Sequence, residues 1–435
     1  MLDGVIPYVG IWDRKPVGLF LIYAAIRELG GEGTIQYQLV AALCVALTAL
    51  LVWRYARRLA SPAGAGAAGI AYILWLNLTE GEGGQSPVFY NLPMMAAALL
   101  VARALESPGS CRGGTARLGC AAMLACGLAL QIKYTIVFEA AWFGAALLWA
   151  LRREGAGALA LAGWATLWAA TAWLPTALAA LVYWRIGALH QFVFANFQSI
   201  FGRGGNHAAA PLGWALLLAI LSPLLAAIAV SAREGTGRSP LRRFTLLWLG
   251  VALVAIVPFV AAPNPHPLMP VLLPAVIAAA PPFGAHRRAA AALLLVIALA
   301  GQIVLAINRA MKGGHAEALA LAAAARPRSG CLYVFDGYPA LYRLVGGCLP
   351  SPYVFPGHLN KASENSADAL GVDPEAEVRR ILAARPGAIV DAWPAYARGN
   401  PRTRAMVQAA LRRDYRLVLR LRTGDRDRLV YRLRQ

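Results

Sequence analysis

Charge is scarce in this chain: only 14% of its 435 residues are Asp, Glu, Lys or Arg, while 59% are hydrophobic and the mean hydropathy is +0.55. A soluble protein of this length is not so apolar, so most of its surface is expected to face lipid. Acids are scarcer than bases, 21 against 41, which leaves a net charge of +20. That surplus does not point to nucleic acid. The bases stand at the ends of apolar runs instead of forming a basic face interleaved with aromatics. The six cysteines form no metal-ligand spacing, and nothing in the chain calls for a metal or other cofactor. No internal repeat is visible, where a transporter is expected to show repeats with paired broken helices. Nor does an apolar segment long enough to serve as a signal peptide or first helix precede residue 36, since the stretch from Pro16 to Ile26 is too short to cross a bilayer.

What the chain has in abundance is long apolar runs. They lie at about 36–53, 63–79, 88–102, 118–132, 135–151, 158–184, 211–231, 244–262, 268–283 and 289–307. These are ten candidate transmembrane helices. Several fall short of the ~20 residues that span a hydrocarbon core, so they are expected to be extended by flanking residues or packed inside the bundle. If the first run exits to the cytoplasm, the inside loops carry fourteen arginines, among them Arg54, Arg57, Arg58, Arg152, Arg153, Arg242, Arg243, Arg287 and Arg288. The opposite short loops carry only Lys133, Arg185 and Arg203. Under the positive-inside rule, everything after residue 307 then lies outside, which for a bacterial inner membrane means the periplasm.

Beyond Asn308 the hydropathy falls and short β-rich runs alternate with helical patterns, so the tail reads as a small α/β domain. The predicted strands are 332–336, 388–392, 415–422 and 428–434. Helices are predicted at 339–345 and at 374–386, the latter opening with acids and closing with bases as the helix dipole favours. The domain plan is a first outer loop with an amphipathic helix at 1–35, a bundle at 36–307 and a soluble domain at 308–435. Cys331 and Cys348 share the exported tail, where an oxidising compartment makes them a candidate disulfide. Cys44, Cys111, Cys120 and Cys126 lie in or near spans or on the inside and read as small apolar packing.

The segment GVIPYVGIWDRKPVGLFLIYAAIRELG at 4–30 resembles the first periplasmic loop of the GT-C glycosyltransferases, which include protein mannosyltransferases and the aminoarabinose transferases of lipid A. Members show a Gly-x-x-Pro-Tyr element followed by an acid, Lys-Pro and an apolar helix. In order along the chain, GLALQIKYT at 127–135, NPHPLMPVLLP at 264–274 and YPALYRLVGGCLPSPYVFPGHL at 338–359 are similar to further segments of the family. The resemblance implies an inverting transferase that moves one sugar from a polyprenyl-phosphate donor to a glycan, lipid or protein acceptor of the cell envelope. The other reading is a non-catalytic membrane scaffold or transporter of envelope glycan assembly that keeps the same architecture.

Such a transfer needs cations to hold the donor phosphate as its charge develops, and a carboxylate to take the acceptor's proton. The resemblance puts Lys15 in the phosphate-contacting position, where a compact cation before a proline-fixed backbone suits a phosphate oxygen. A snorkelling interfacial lysine is the plainer reading. Asp13 matches the acid before Lys-Pro and could support the site through Lys15, Arg14 or the acceptor, or be a solvated loop acid. Tyr8 and Trp12 would line the cleft or anchor the loop at the interface. Lys133, in a tight outer turn, and Arg203 are further phosphate candidates. Glu139, an acid one to two turns inside a helix, is a cleft candidate or a structural partner of Lys133. His266 stands among Pro263, Pro265, Pro267 and Pro270, where broken helical hydrogen bonding could open a cavity. The loop 188–210, with His190, Asn196 and His207, would cover a cleft or lie along the membrane. At 81–91, Pro87 or Asn91 stands where relatives would carry an acid. The family's base is an Asp upstream of the Gly-x-x-Pro-Tyr element, and Asp3 is too near that element to fill the role. The base, with an N-terminal helix before it, is therefore expected upstream of Met1, export of a short N-terminal tail being the other reading, and the chain from Met1 onward is expected to be inactive for want of that Asp.

Overall fold

The computed structural model describes residues 2, 4–106, 112–204, 208–233, 239–260 and 264–434. Asp3, Cys111, His207, Arg238 and Pro263 lie outside the described residues. The chain divides into two compact units. One comprises Pro16–Ala179 and His207–Val304; the other comprises Met1–Lys15, Ala180–Asn206 and Leu305–Gln435.

The first unit is helical. The described parts of the ten apolar runs are largely helical, the run at 268–283 being divided between Met269–Ala278 and Ala280–Ala285, and among the described residues seven helices are long and apolar enough to cross a membrane. The chain is a polytopic membrane protein. Helix Ser86–Glu106 forms the middle of the bundle, with 72% of its apolar window buried, against 22% for Thr34–Ala56 and 17% for Ala158–Arg185. The outer helices turn apolar stripes outward. On Arg287–Lys312 the stripe is Leu295, Leu299, Ile303 and Ile307, spaced four apart and each more than half exposed, as a lipid-facing surface requires.

The short helix Pro62–Leu78 survives by packing. At 17 residues it is about 26 Å long, and its Ala65, Ala68, Ala71, Tyr72 and Trp75 are all fully buried. Ser61 caps its first turn by accepting from the Gly64 amide, and Pro62 sits at the first helical position, where a missing N–H costs nothing. A side chain at Gly64 would collide with the Ala280 carbonyl oxygen, so only glycine lets this helix and Ala280–Ala285 approach so closely. Helix Val17–Arg27, eleven residues after Pro16, is too short to span. A Cβ on its Gly18 would lie 2.5 Å from the Gln131 carbonyl oxygen, which ties that helix to the 131–133 turn.

In the second unit the tail folds as the α/β domain its pattern predicts. Strands β1 (Leu332–Val334), β2 (Ala388–Trp393), β3 (Tyr415–Thr423) and β4 (Arg426–Leu433) form one sheet in the order β1-β2-β4-β3. β1 and β2 run parallel with Val334 opposite Val390. β4 runs antiparallel to both β2 and β3, with Ile389 opposite Tyr431. Helices Ala340–Val345 and Pro374–Ala383 lie where the sequence predicts them. Asp373 caps the second by accepting from the Glu375 and Ala376 amides. Cys331 and Cys348 are joined in a disulfide. Helices His315–Ala325 and Pro401–Asp414, and the short Pro356–Asn360 and Ala367–Leu370, have no counterpart in the sequence-based reading. Cys44 and Cys120 are half-buried and Cys126 buried, all three as free thiols.

Candidate functional site

The first loop is held in shape by its own backbone. Tyr8, at φ +68°, donates its amide to the Ile11 carbonyl at 2.6 Å, and the Gly10 amide donates to Ile6 at 2.8 Å. A positive φ in a bulky residue is strained, and here the surroundings fix it. The Tyr8 ring is buried against Tyr183 and Phe192, with centroids 5.3 and 5.8 Å away. Its hydroxyl donates to the Lys15 carbonyl at 2.8 Å and lies 3.3 Å from Asn196 Oδ1. Tyr8 therefore fixes the backbone at Lys15.

Trp12 anchors the same loop to the tail. It is only 4% exposed, its amide donates to the Pro352 carbonyl at 2.9 Å, and its ring meets Tyr353 and His358 at 5.5 and 4.8 Å. Next to it, Arg14 lies over the Trp12 ring at 4.8 Å. The Arg14 guanidinium donates from Nε to Ser199 Oγ at 3.0 Å and from Nη2 to the Ala369 carbonyl, and it pairs with Glu364 Oε2 at 2.8 Å. Arg203 takes the other oxygen, its Nε 2.8 Å from Glu364 Oε1. Glu364, 5% exposed at its side chain, is thus clamped between two guanidiniums. Backbone contacts reinforce the clamp. The Gly204 amide donates to the Ser363 carbonyl at 2.9 Å, and a side chain at Gly202 would collide with the Asp368 backbone.

The two arginines do different work. The donors of Arg14 are engaged inside the protein, so it braces the loop. Arg203 keeps 41% of its side chain exposed, and Lys15 is exposed with no salt bridge among the described residues. These two cations are open to a ligand. Asp13 lies beside His358 and within the electrostatic reach of Lys15. Its Oδ1 accepts from the Arg14 amide at 2.6 Å and lies 4.0 Å from His358 Nε2. Burial pushes the Asp13 carboxyl up, against the downward pull of Lys15 and Arg14. The His358 imidazole is pushed down to about 3, first by burial and then by Arg14, Lys361, Arg203 and Lys15. It is therefore neutral near pH 7, and its approach to Asp13 is not an ion pair. Its Nδ1 is buried with no hydrogen-bond partner among the described residues. Lys361 is pushed down by burial and by Arg203. Four cations, Arg14, Lys15, Arg203 and Lys361, thus surround two carboxylates, and the surplus suits an anion.

Six of the residues singled out in the sequence, Tyr8, Trp12, Asp13, Arg14, Lys15 and Arg203, come together here. His358 and Ser199 join them from the segments 338–359 and 188–210, whereas Glu364 and Lys361 join without a signal in the sequence, Glu364 standing 161 and 350 positions from Arg203 and Arg14. Lys133, Glu139 and His266 belong to the helical unit. Lys133 lies 5.8 Å from the Phe259 ring centroid. The partner of buried Glu139 is the Trp248 indole N–H at 2.6 Å, in place of Lys133. His266 Nδ1 is 2.7 Å from Asn264 Oδ1 in a short 3-10 turn, His266–Leu268. Asn91 is fully buried and donates to the Tyr72 hydroxyl and the Met269 carbonyl, a packing role inside the bundle. In the loop 188–210, helix Leu189–Val193 passes into a π turn, Phe194–Gln198, with Phe192 and Ala195 buried and Phe201 86% exposed. Among the described residues no group of His, Cys, Asp and Glu could hold a metal ion.

No family model matches the sequence, and no curated protein matches it. Among solved structures, the chain is similar to ArnT from Cupriavidus metallidurans bound to undecaprenyl phosphate. The TM-score is 0.58 at 14% identity, over 96% of this chain and 88% of that chain. With the apo state of the same protein the TM-score is 0.39 at the same identity and coverage, too low to carry an argument. At 14% identity the first likeness establishes the fold, a polytopic bundle with a small mixed domain.

Proposed function

We propose, from a fold shared with ArnT, that this chain is a membrane glycosyltransferase of the GT-C kind. It would move a sugar from a polyprenyl-phosphate donor to a glycan, lipid or protein of the cell envelope, at the periplasmic face of the inner membrane. The observation that carries this reading is the pair of open cations, Lys15 of the first loop and Arg203, beside a buried Glu364 and a shielded Asp13. That a structure of this fold holds undecaprenyl phosphate supports the same donor class here.

The chemistry follows from the charges. In a single inverting displacement, the bond from sugar C1 to the acceptor oxygen forms as the bond from C1 to the phosphate oxygen breaks. The polyprenyl phosphate then leaves with an added negative charge. Lys15 and Arg203 would stabilise that charge where it develops, and would do so better away from bulk water. Arg14 contributes by holding the loop, and Glu364 by fixing both guanidiniums. Asp13, beside His358 and within reach of Lys15, would orient the lysine or the acceptor hydroxyl. We assign no general base.

The test incubates the purified full-length protein with a panel of polyprenyl-phosphate sugars and envelope acceptors, and compares Lys15→Ala. Turnover with at least one donor, reduced at least a hundredfold by the substitution, is the expected result. Equal turnover in both proteins would remove Lys15 from the mechanism. Turnover with no donor would favour a non-catalytic scaffold.

A further inference from the structure

A second cationic feature lies in the tail, built on the loops that lead into β1 and β2. A side chain at Gly387 would collide with the Ser329 carbonyl oxygen, so the two loops cross as closely as backbones can. The Gly387 amide donates to the Cys331 carbonyl at 2.9 Å, and the Leu433 amide donates to the Gly387 carbonyl at 3.1 Å. Arg385 takes φ +49° and Gly330 φ +72° to make the crossing. Above this floor opens a cavity of about 440 Å³ lined by Arg328, Ser329, Arg416, Arg432 and Arg434.

Two of the four lining arginines are pinned by backbone. Arg432 Nε donates to the Ala324 carbonyl at 3.1 Å, and Arg434 Nε donates to the Tyr415 carbonyl at 3.0 Å. Arg328 and Arg416 make no salt bridge among the described residues. The acid that faces the group, Asp414, is already bound to Arg413 at 2.9 Å. The hydrogen bond from Arg413, helped by Arg385 and Arg434, holds its carboxyl below the usual range. Several arginines elsewhere in the domain are taken up by acids: Arg404 and Arg426 at Asp336, Arg420 at Asp427, Arg380 at Glu377. Here four arginines line one cavity, and among the described residues no Asp or Glu joins them.

We propose that this cavity binds a phosphate group bearing two negative charges, either a phosphomonoester or a pyrophosphate, separately from the Lys15 site. Guanidinium forks match phosphate oxygens two at a time, and pinned ones lose little freedom on binding. The volume also leaves room for a sugar or glycerol attached to the phosphate. The inference does not depend on the transferase reading.

The test labels the full-length protein in a nonionic detergent with phenylglyoxal and follows each arginine by mass spectrometry. Labelling is done with inorganic pyrophosphate, with dioctanoyl phosphatidic acid, or with dioctanoyl phosphatidylcholine. At least fivefold slower labelling of Arg416 and Arg432 with pyrophosphate or phosphatidic acid, and none with phosphatidylcholine, is expected. Protection by pyrophosphate alone marks a soluble phosphate, and protection by phosphatidic acid marks a lipid headgroup. Protection by none of the three, or by all three alike, would overturn the proposal. As a second arm, Arg416→Gln with Arg432→Gln should weaken binding of the protecting ligand at least tenfold by calorimetry, while Arg420→Gln with Arg422→Gln should not. Equal loss in the two pairs would mean diffuse charge attraction and would equally overturn the site.

Discussion

Glu364 is the residue on which the arrangement of the first loop turns. Two guanidiniums share its two oxygens in a place where the carboxylate is nearly sealed from water. Removing one partner of such a group leaves buried charge uncompensated, typically costing about 3 kcal/mol. Glu364→Gln is therefore expected to lower the thermal midpoint of the purified protein and to open the Arg14–Lys15 bond to trypsin, whereas Lys15→Ala should leave the midpoint unchanged. His358 makes a different prediction. Its folded pKa is depressed to about 3 from an ordinary 6.5, so between those values the unfolded chain binds the proton and the folded chain does not. The stability this contributes is complete above pH 6.5 and is lost as the pH falls toward 3, by at most about 1.4 kcal/mol per pH unit. Unfolding curves at pH 4.5 and 7 should converge in His358→Phe relative to the parent. The residues of this site were legible only in part. The loop motif pointed to Asp13 and Lys15, but nothing local marks Glu364 as the counter-charge of Arg14, because 350 positions separate them in the chain.

At the scale of elements, hydropathy located the apolar helices, and short β-rich runs set off from helical patterns located the four strands, two of which, β1 and β2, are buried nearly throughout and so show no alternation. His315–Ala325 escaped because HAEALALAAAA is apolar nearly all round and carries no period. Pro401–Asp414 escaped because arginines dilute its apolar face, although Asn400, accepting from the Arg402 and Thr403 amides, caps its first turn. Packing distances were also invisible. Gly64 and Gly66 look alike in PAGAGAAG, yet only Gly64 has a neighbouring backbone where a Cβ would go. Gly64→Val should destabilise the bundle by about 1–3 kcal/mol or more. Its yield of monodisperse protein in fluorescence-detected size exclusion should fall well below that of Gly66→Val, which should behave as the parent does.

For the whole molecule, orientation rests on the arginine bias of the loops. Alkaline phosphatase fused after Lys133 or at Gln435 is expected to be active, and a fusion after Arg58 inactive, with fluorescent-protein fusions giving the opposite pattern. The reverse result would put Lys15 on the cytoplasmic side and end the proposed donor site. The same molecule carries a consequence for its own synthesis. Arg14 donates to the carbonyl of Ala369, 355 residues further along the chain. At roughly 5–20 residues per second on the ribosome, the second half of that contact follows the first by about 20–70 s. Throughout that interval the nascent loop, with Trp12 and Arg14 uncovered, waits for its counterpart to be translated, which makes it a natural point of attack for quality-control proteases.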